Sequence, residues 1–125
     1  RIFEYCHDAF VRWLAEAGEP LPVALLTGSW AGPLVHAEAD FLRPMHFGDE
    51  LRVAIVAAEL SGSTLTLGYR LALAELPVPR GPRVRVSGEV VAVAQTVHVF
   101  VTPKTFQRMP PPPRISEAVA RLLAR

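Results

Sequence analysis

Three ionisable side chains recur at every second position in residues 36–40. They are His36, Glu38 and Asp40. Alternate side chains of a β-strand point to one face, so this spacing predicts a row of one imidazole and two carboxylates on one strand face. Such a row is either solvated or part of a site, where these groups could act as general acids and bases. The opposite face is apolar and is expected to face the core: Val35, Ala37, Ala39 and Phe41.

A second group of reactive side chains lies near the start of the chain, in a stretch with helical spacing. Cys6 and His7 adjoin an apolar stripe that contains Phe3, Phe10 and Leu14. His7 is therefore expected to be half-buried, either in contact with a ligand or hydrogen-bonded to the backbone. The Cys6 thiol could be a nucleophile, but a lone cysteine on such a stripe is usually a small buried apolar residue, and no activating neighbour is visible.

His46 and His98 are weaker candidates for a functional role. The chain has four histidines and one cysteine, but no pair of histidines has metal-ligand spacing with a carboxylate in the expected place. The sequence therefore predicts no metal site and no cofactor.

Composition limits the class of protein. A chain of 125 residues with 50% hydrophobic residues is enough for one domain with a real core. A net charge of +1 argues against a nucleic-acid partner. The single cysteine excludes an internal disulfide and favours a reducing, cytoplasmic setting. No apolar run is long enough to predict a membrane span. A mean hydropathy of +0.26 is high for such a small domain and predicts association with further copies.

The elements that must position these residues are one long helix and four strands. The helical spacing covers residues 3–17 and ends at Gly18 and Pro20. A loop with one helical turn is expected over residues 21–31. Strands are predicted from Val35, over 51–60, over 64–76 and over about 89–101, with a Gly48-Asp49 turn, a turn insertion at residues 77–82 and a bend at Gly88.

The end of the chain is rich in proline. Residues 110–113 are expected to be an extended tail, followed by a short helix over residues 117–124 with Ser116 as its N-cap. The predicted organisation is a single domain over residues 1–109 and a proline-rich tail with a short helix over residues 110–125.

Two stretches carry a resemblance to a known family. FEYCHDAFVRWLAEAG, followed by GPLVHAEADFLRPMHFGDELRV, resembles the 4-hydroxybenzoyl-CoA thioesterase family and especially its 1,4-dihydroxy-2-naphthoyl-CoA hydrolase branch. The discriminating pieces are Cys6-His7-Asp8-Ala9 and Pro33-Leu34-Val35-His36-Ala37, with support from Thr96-Val97-His98-Val99. The resemblance implies an α+β hotdog fold, in which a curved antiparallel sheet wraps one long central helix.

The resemblance also implies an activity. It predicts a thioesterase that hydrolyses an acyl-CoA, most of all an aromatic one such as 1,4-dihydroxy-2-naphthoyl-CoA in menaquinone or phylloquinone synthesis. Its first strand and a catalytic aspartate, in an Asp-x-Asp-x-x-Gly-like loop, are expected upstream of Arg1 and so outside the printed sequence. A noncatalytic acyl-thioester-binding domain, or a thioesterase for aliphatic acyl-CoA or acyl carrier protein, are the alternatives.

The family's pocket maps onto named positions. Substrate contacts are expected from His7, Leu34, Val35 and His36, with the strand from Val35 as pocket wall and subunit seam of a homodimer or homotetramer. The turn at residues 60–63 carries no charge, so the CoA phosphates need cations from elsewhere. The candidates are Arg80, Arg83, Arg85, Lys104 and Arg108.

Overall fold

A computed structural model describes residues 2–44, 50–73 and 89–124 of the chain. Its elements follow the order α1 (Ile2–Glu16), α2 (Leu21–Thr27), β1 (Leu34–Phe41), β2 (Leu51–Ser61), β3 (Thr64–Leu73), β4 (Val90–Val99) and α3 (Pro113–Leu123). The predicted α+β class is confirmed, and the predicted helix and strands lie within a few residues of the observed ones. The predicted Gly48-Asp49 turn, the insertion at residues 77–82 and the bend at Gly88 lie outside the described residues.

Helix α1 forms because its apolar residues share one face and no glycine or proline interrupts it. Its buried residues are Ile2, Cys6, Ala9, Phe10 and Leu14. The helix ends in a Schellman motif: Gly18 has a φ of +87°, its N–H donates to Ala15 O at 3.1 Å, and the Glu19 N–H donates to Leu14 O at 2.9 Å. The Arg114 guanidinium of α3 also donates to Gly18 O at 2.9 Å.

The strands form one antiparallel sheet with the order β1-β4-β3-β2. Strand β3 is central, and every second side chain is fully buried beneath the helices: Leu65, Leu67, Tyr69, Leu71 and Leu73. The alternation predicted for this strand is confirmed. Because α1 and the sheet bury their apolar faces against each other, this layer is the core of the domain.

A bulge in β2 reverses which of its side chains face the core. Leu51, Val53 and Ile55 are half-buried, the ladder with β3 shifts between Ile55 and Ala57, and the buried phase resumes at Ala58. Opposite the bulge lies Gly68, where a Cβ atom would stand 3.1 Å from the Cβ of Ala57. Glycine therefore allows the two strands to approach at the bulge.

Strand β1 is only partly buried, contrary to the expectation that its apolar row faces the core. Ala37 and Ala39 are half-buried, but Val35 and Phe41 are 57% and 62% exposed. Two causes act together. Strand β1 lies at the edge of the sheet, and its ladder with β4 shifts register between Leu34 and His36, which leaves Val35 in a bulge.

The C-terminal helix is longer than predicted and packs on the domain. Helix α3 begins at Pro113 and not near Glu117, so Ser116 lies inside it and the predicted N-cap is wrong. The reason is that proline suits the first helical position, where its missing N–H costs nothing. Its buried side chains are Ile115, Ala118 and Val119, and two of these, Ile115 and Val119, join the core cluster.

No helix among the described residues is long and apolar enough to cross a membrane.

Candidate functional site

A buried hydrogen-bond chain connects the centre of the sheet to the segment before β1. The Tyr69 hydroxyl lies 2.7 Å from Thr96 Oγ1, which lies 3.2 Å from His98 Nε2. His98 Nδ1 lies 3.1 Å from Gly32 O. A carbonyl oxygen only accepts, so Nδ1 carries the proton and Nε2 accepts from Thr96. Thr96 in turn accepts from Tyr69, and the four groups form one directional chain.

The His98 ring also joins the sheet to α1. It stacks on Phe10 with ring centroids 4.1 Å apart. Burial lowers the pKa of His98, the hydrogen bond to Gly32 O opposes this, and the nearby His7 lowers the pKa further. The imidazole is therefore held neutral, which is the form that can accept from Thr96.

Two further titratable groups of this region are held in their neutral forms. Burial raises the pKa of the Cys6 thiol to about 11. Burial raises the pKa of Tyr69 to about 12. The hydrogen bond with Thr96 opposes this rise, and the nearby Cys6 adds to it. Since the thiolate is the reactive form of cysteine and Cys6 is completely buried, Cys6 is a core residue and not a nucleophile.

His7 is exposed, so the prediction of a half-buried position is wrong. Cys6 and Phe10 occupy the face of α1 that is directed at the sheet, and His7 follows Cys6 by one residue, a rotation that carries it off that face. It is nonetheless close enough to His98 to affect that residue's pKa. His7 thus lies on the solvent-exposed side of α1.

The start of β1 lies beside the same stack. Leu34 pairs with His98 across the β1–β4 ladder. Leu34 is 53% exposed, and its neighbour Val35 is 57% exposed. His36 is exposed too, and its Nε2 lies 3.6 Å from Glu38 Oε1, an ion pair only when the imidazole is protonated. The structure therefore brings α1, which carries His7, and Leu34 to one region around His98. His36 pairs with Val97, in the opposite phase of β4 from His98, so its side chain lies on the other face of the sheet.

The basic candidates are divided. Lys104 and Arg108 are exposed and lie at this same end of the sheet, because Val101 bridges both Ala31 and Arg108. Arg80, Arg83, Arg85 and the weaker candidate His46 lie outside the described residues.

Sequence reasoning did not single out Tyr69 and Thr96, and it did not predict the hydrogen-bond chain that joins them to His98. A signal was present, since Ala92, Ala94, Thr96 and His98 share the alternating phase that β4 buries. Polar residues in a buried phase need partners, so two of them in succession indicate a hydrogen-bonded network. Which partners they find is decided by strand order and register.

A separate groove lies between α1, β2 and α3. Its volume is about 390 Å³, and its lining includes Arg12, Trp13, Val53, Ile55, Arg121 and Leu122. None of the predicted site residues that the structure describes lines it. In residues 2–44, 50–73 and 89–124, no three His, Cys, Asp or Glu side chains gather in a way that could hold a metal ion.

Comparison with known proteins assigns this architecture to a family. The model of the Thioesterase-like superfamily matches residues 1–119. The chain therefore belongs to the thioesterase-like superfamily, and the predicted hotdog fold is confirmed by its solved structural neighbours.

Two curated relatives and one crystal structure align with most of this chain. A 1,4-dihydroxy-2-naphthoyl-CoA hydrolase from Synechocystis sp. is 30% identical over 122 residues, which cover 98% of this chain and 80% of the relative. A protein of the same name from Synechococcus elongatus is 31% identical over 118 residues, or 94% of this chain and 77% of the relative. The crystal structure of a 1,4-dihydroxy-2-naphthoyl-CoA thioesterase from Synechocystis superposes with a TM-score of 0.77 at 29% identity, covering 95% of this chain and 79% of that one.

Proposed function

We propose that this protein hydrolyses the thioester bond of an aromatic acyl-CoA, and that 1,4-dihydroxy-2-naphthoyl-CoA in quinone synthesis is its substrate. The observation that carries the proposal is identity of about 30% to curated hydrolases of this substrate over nearly the whole chain. The reaction adds water to the thioester and releases the naphthoate and free CoA.

The exposed residues at the start of β1 and on the adjoining helix support this proposal. Leu34 and Val35 offer exposed apolar surface at the start of β1, and His7 lies on the adjoining helix with its ring in solvent. An aromatic acyl group needs apolar surface for its rings and a polar partner for its hydroxyl groups, which His7 can supply as donor or acceptor. We assign Leu34 and Val35 to the pocket wall and His7 to the hydroxyl contact.

The attack on the thioester needs a base or nucleophile and donors for the developing oxyanion. Cys6 is excluded by its burial and its raised pKa. The family resemblance assigns the role to an aspartate before Arg1, outside the printed sequence, and this assignment stays a prediction. The neutral His98 is not a candidate base, because both of its ring nitrogens are already hydrogen-bonded.

A homodimer through β1 would complete the pocket. Strand β1 is an edge of the described sheet, and an unpaired edge with exposed Leu34, Val35 and Phe41 is suited to pairing with another strand. Pairing with the same strand of a second copy would give a two-fold symmetric seam and place the partner's β1 beside this pocket. Light scattering tests this directly: the wild-type chain is expected at twice its monomer mass, and Val35→Lys is expected to lower that mass.

The activity is tested by thiol release. The protein, as its gene encodes it, is incubated with 1,4-dihydroxy-2-naphthoyl-CoA, benzoyl-CoA and an aliphatic acyl-CoA, and free CoA is measured with a thiol reagent. We expect the highest kcat/KM with the naphthoyl thioester and an unchanged kcat for Cys6→Ala. No turnover above the uncatalysed rate, with binding retained, would indicate a noncatalytic acyl-thioester-binding domain instead.

The single buried cysteine and absence of any disulfide requirement support our further assignment of the enzyme to the cytoplasm.

A further inference from the structure

The segment that leads into β1 is attached to the sheet by irregular backbone contacts. Ala31 exchanges two hydrogen bonds of 2.9 Å with Val101 in an isolated bridge. Pro33 has no N–H to donate, and its carbonyl accepts from the Val99 N–H at 3.2 Å. The regular ladder with β4 is then interrupted by the register shift at the start of β1. A side chain that bonds to this segment therefore has a large share in fixing its position.

His98 is such a side chain. Its Nδ1–H donates to Gly32 O at 3.1 Å, and the residue is 5% exposed. The ring is itself held in place, because Nε2 accepts from Thr96 at 3.2 Å and one ring face stacks on Phe10. A donor whose rotamer is locked by packing and by a second hydrogen bond fixes the group that accepts from it. The position of the Gly32 carbonyl is therefore set by the imidazole.

Gly32 also lies against a rigid pair of buried aromatic rings. A Cβ atom at this position would stand 3.3 Å from Trp30 Cζ3 and 4.0 Å from Phe100 Cε1. The two rings are in edge-to-face contact with centroids 5.4 Å apart, and the indole N–H of Trp30 donates to Glu19 Oε2 at 3.1 Å. Because these rings are fixed, the glycine backbone has little freedom to move while the imidazole holds its carbonyl.

The imidazole contacts both sides of the proposed acyl pocket. Leu34, the first residue of the pocket wall, follows Gly32 by two residues and pairs with His98 across the β1–β4 ladder. Phe10, on which the ring stacks, belongs to α1, the helix that carries His7. Both ring nitrogens are already bonded within the chain, so the imidazole acts on the pocket through its neighbours.

We propose that His98 is a positioning residue of the acyl pocket. Its ring holds the Gly32 carbonyl and stacks on Phe10, and it thereby sets the distance between the Leu34–Val35 wall and α1. The acyl group that fits is one whose rings are broad enough to contact both sides. This inference rests on the proposed function, and it identifies what shapes the pocket of that function.

Steady-state kinetics with 1,4-dihydroxy-2-naphthoyl-CoA provide the first test, with the protein as its gene encodes it. His98→Leu removes the hydrogen bond to Gly32 O and keeps an apolar side chain in the core. We expect KM to rise about tenfold, the effect of one lost hydrogen bond, and kcat to stay within about twofold of wild type. A purely structural role would lower kcat through loss of folded enzyme and leave KM unchanged, and that result would overturn the proposal.

Calorimetry with the free acid 1,4-dihydroxy-2-naphthoate and with CoA needs no turnover. The Kd of the naphthoate should rise about tenfold in His98→Leu, and the Kd of CoA, which lacks the acyl group, should stay as in wild type. Unchanged naphthoate binding, or an equal loss for both ligands, contradicts a role in the acyl pocket. The two proposals fail separately: a protein that binds naphthoate through this pocket but hydrolyses no thioester loses only the proposed activity.

Conservative variants separate the two ring nitrogens. The amide of asparagine is attached to the same carbon as Nδ1 of histidine, so His98→Asn can still donate to Gly32 O, whereas the amide of His98→Gln lies one bond farther along the side chain. We expect the KM of His98→Asn to be nearer to wild type than that of His98→Gln. Gly68→Val, at the β2 bulge on the other side of the sheet, is the control for lost stability and should leave KM unchanged.

The tautomer of His98 can be measured in the wild-type protein, whether or not the variants fold. The ¹⁵N chemical shifts of the labelled imidazole distinguish a proton on Nδ1 from one on Nε2. We expect the proton on Nδ1, as the bond to the Gly32 carbonyl requires. A proton on Nε2 would show that the imidazole does not hold this carbonyl, and the proposal would fail.

Discussion

Replacing Thr96 with valine should destabilise the fold far more than its size change implies. The Thr96 hydroxyl accepts from Tyr69 at 2.7 Å and donates to His98 Nε2 at 3.2 Å, and Thr96 itself is 4% exposed. Valine has nearly the same shape, so the substitution leaves no room for water and deprives both buried groups of their partner. An unsatisfied buried polar group costs about 1–3 kcal/mol, so the loss in free energy of unfolding is about 2–4 kcal/mol after the added methyl group is considered.

Thr96→Ser is the matched control, because it keeps the hydroxyl and removes only a methyl group, at a cost of about 1 kcal/mol. Urea unfolding followed by circular dichroism measures both variants, and an unchanged m-value shows that the native and unfolded states are comparable. In a Tyr69→Phe background the valine substitution should cost less, since one of the two orphaned groups is gone. If Thr96→Val and Thr96→Ser are equally stable to within about 0.5 kcal/mol, the assigned hydrogen-bond chain is wrong.

The stability of the fold should also depend on pH, through His98, and on the close packing of the strands at the β2 bulge. The pKa of His98 is lowered in the folded state, so the unfolded chain binds a proton more readily than the folded chain. The free energy of unfolding is therefore unaffected by His98 above about pH 6.5, the pKa of histidine in the unfolded chain. It falls as the pH drops below that value toward the folded-state pKa. Thermal unfolding from pH 4 to 8 should show this fall, and His98→Gln should flatten it. Gly68→Val should cost about 1–3 kcal/mol, because a Cβ there lies 3.1 Å from Ala57 Cβ. Ala57→Gly should recover part of that loss, and no recovery would place the clash elsewhere.

Local patterns in the sequence were enough to predict most secondary-structure elements. Helix α1 and strand β3 have apolar residues in clean helical and alternating periods, and side-chain period follows from backbone geometry alone. The Gly18 stop was also predictable, since glycine accepts the positive φ that closes the helix. The family resemblance supplied the hotdog fold and the substrate class, which periodicity alone does not give.

Other features depended on which segments meet. The exposure of Val35 and Phe41 follows from the edge position of β1 and from its bulge, and neither is encoded in the alternation of that strand. The start of α3 was misplaced because a run of prolines looks like an extended tail until its last member is seen to begin a helix.

The candidate site shows the same division most clearly. The sequence by itself determined that His7, Leu34, Val35 and His36 were worth attention and that Cys6 was a core residue. Only the tertiary structure decided that His98 connects α1, β3 and the segment before β1. Its hydrogen-bond chain runs directly to Thr96 and Gly32 and, through Thr96, to Tyr69. These residues lie 2, 66 and 29 positions from His98 in the sequence. Register fixes such partners, because a shift of one residue between β3 and β4 would turn Tyr69 and Thr96 to opposite faces of the sheet.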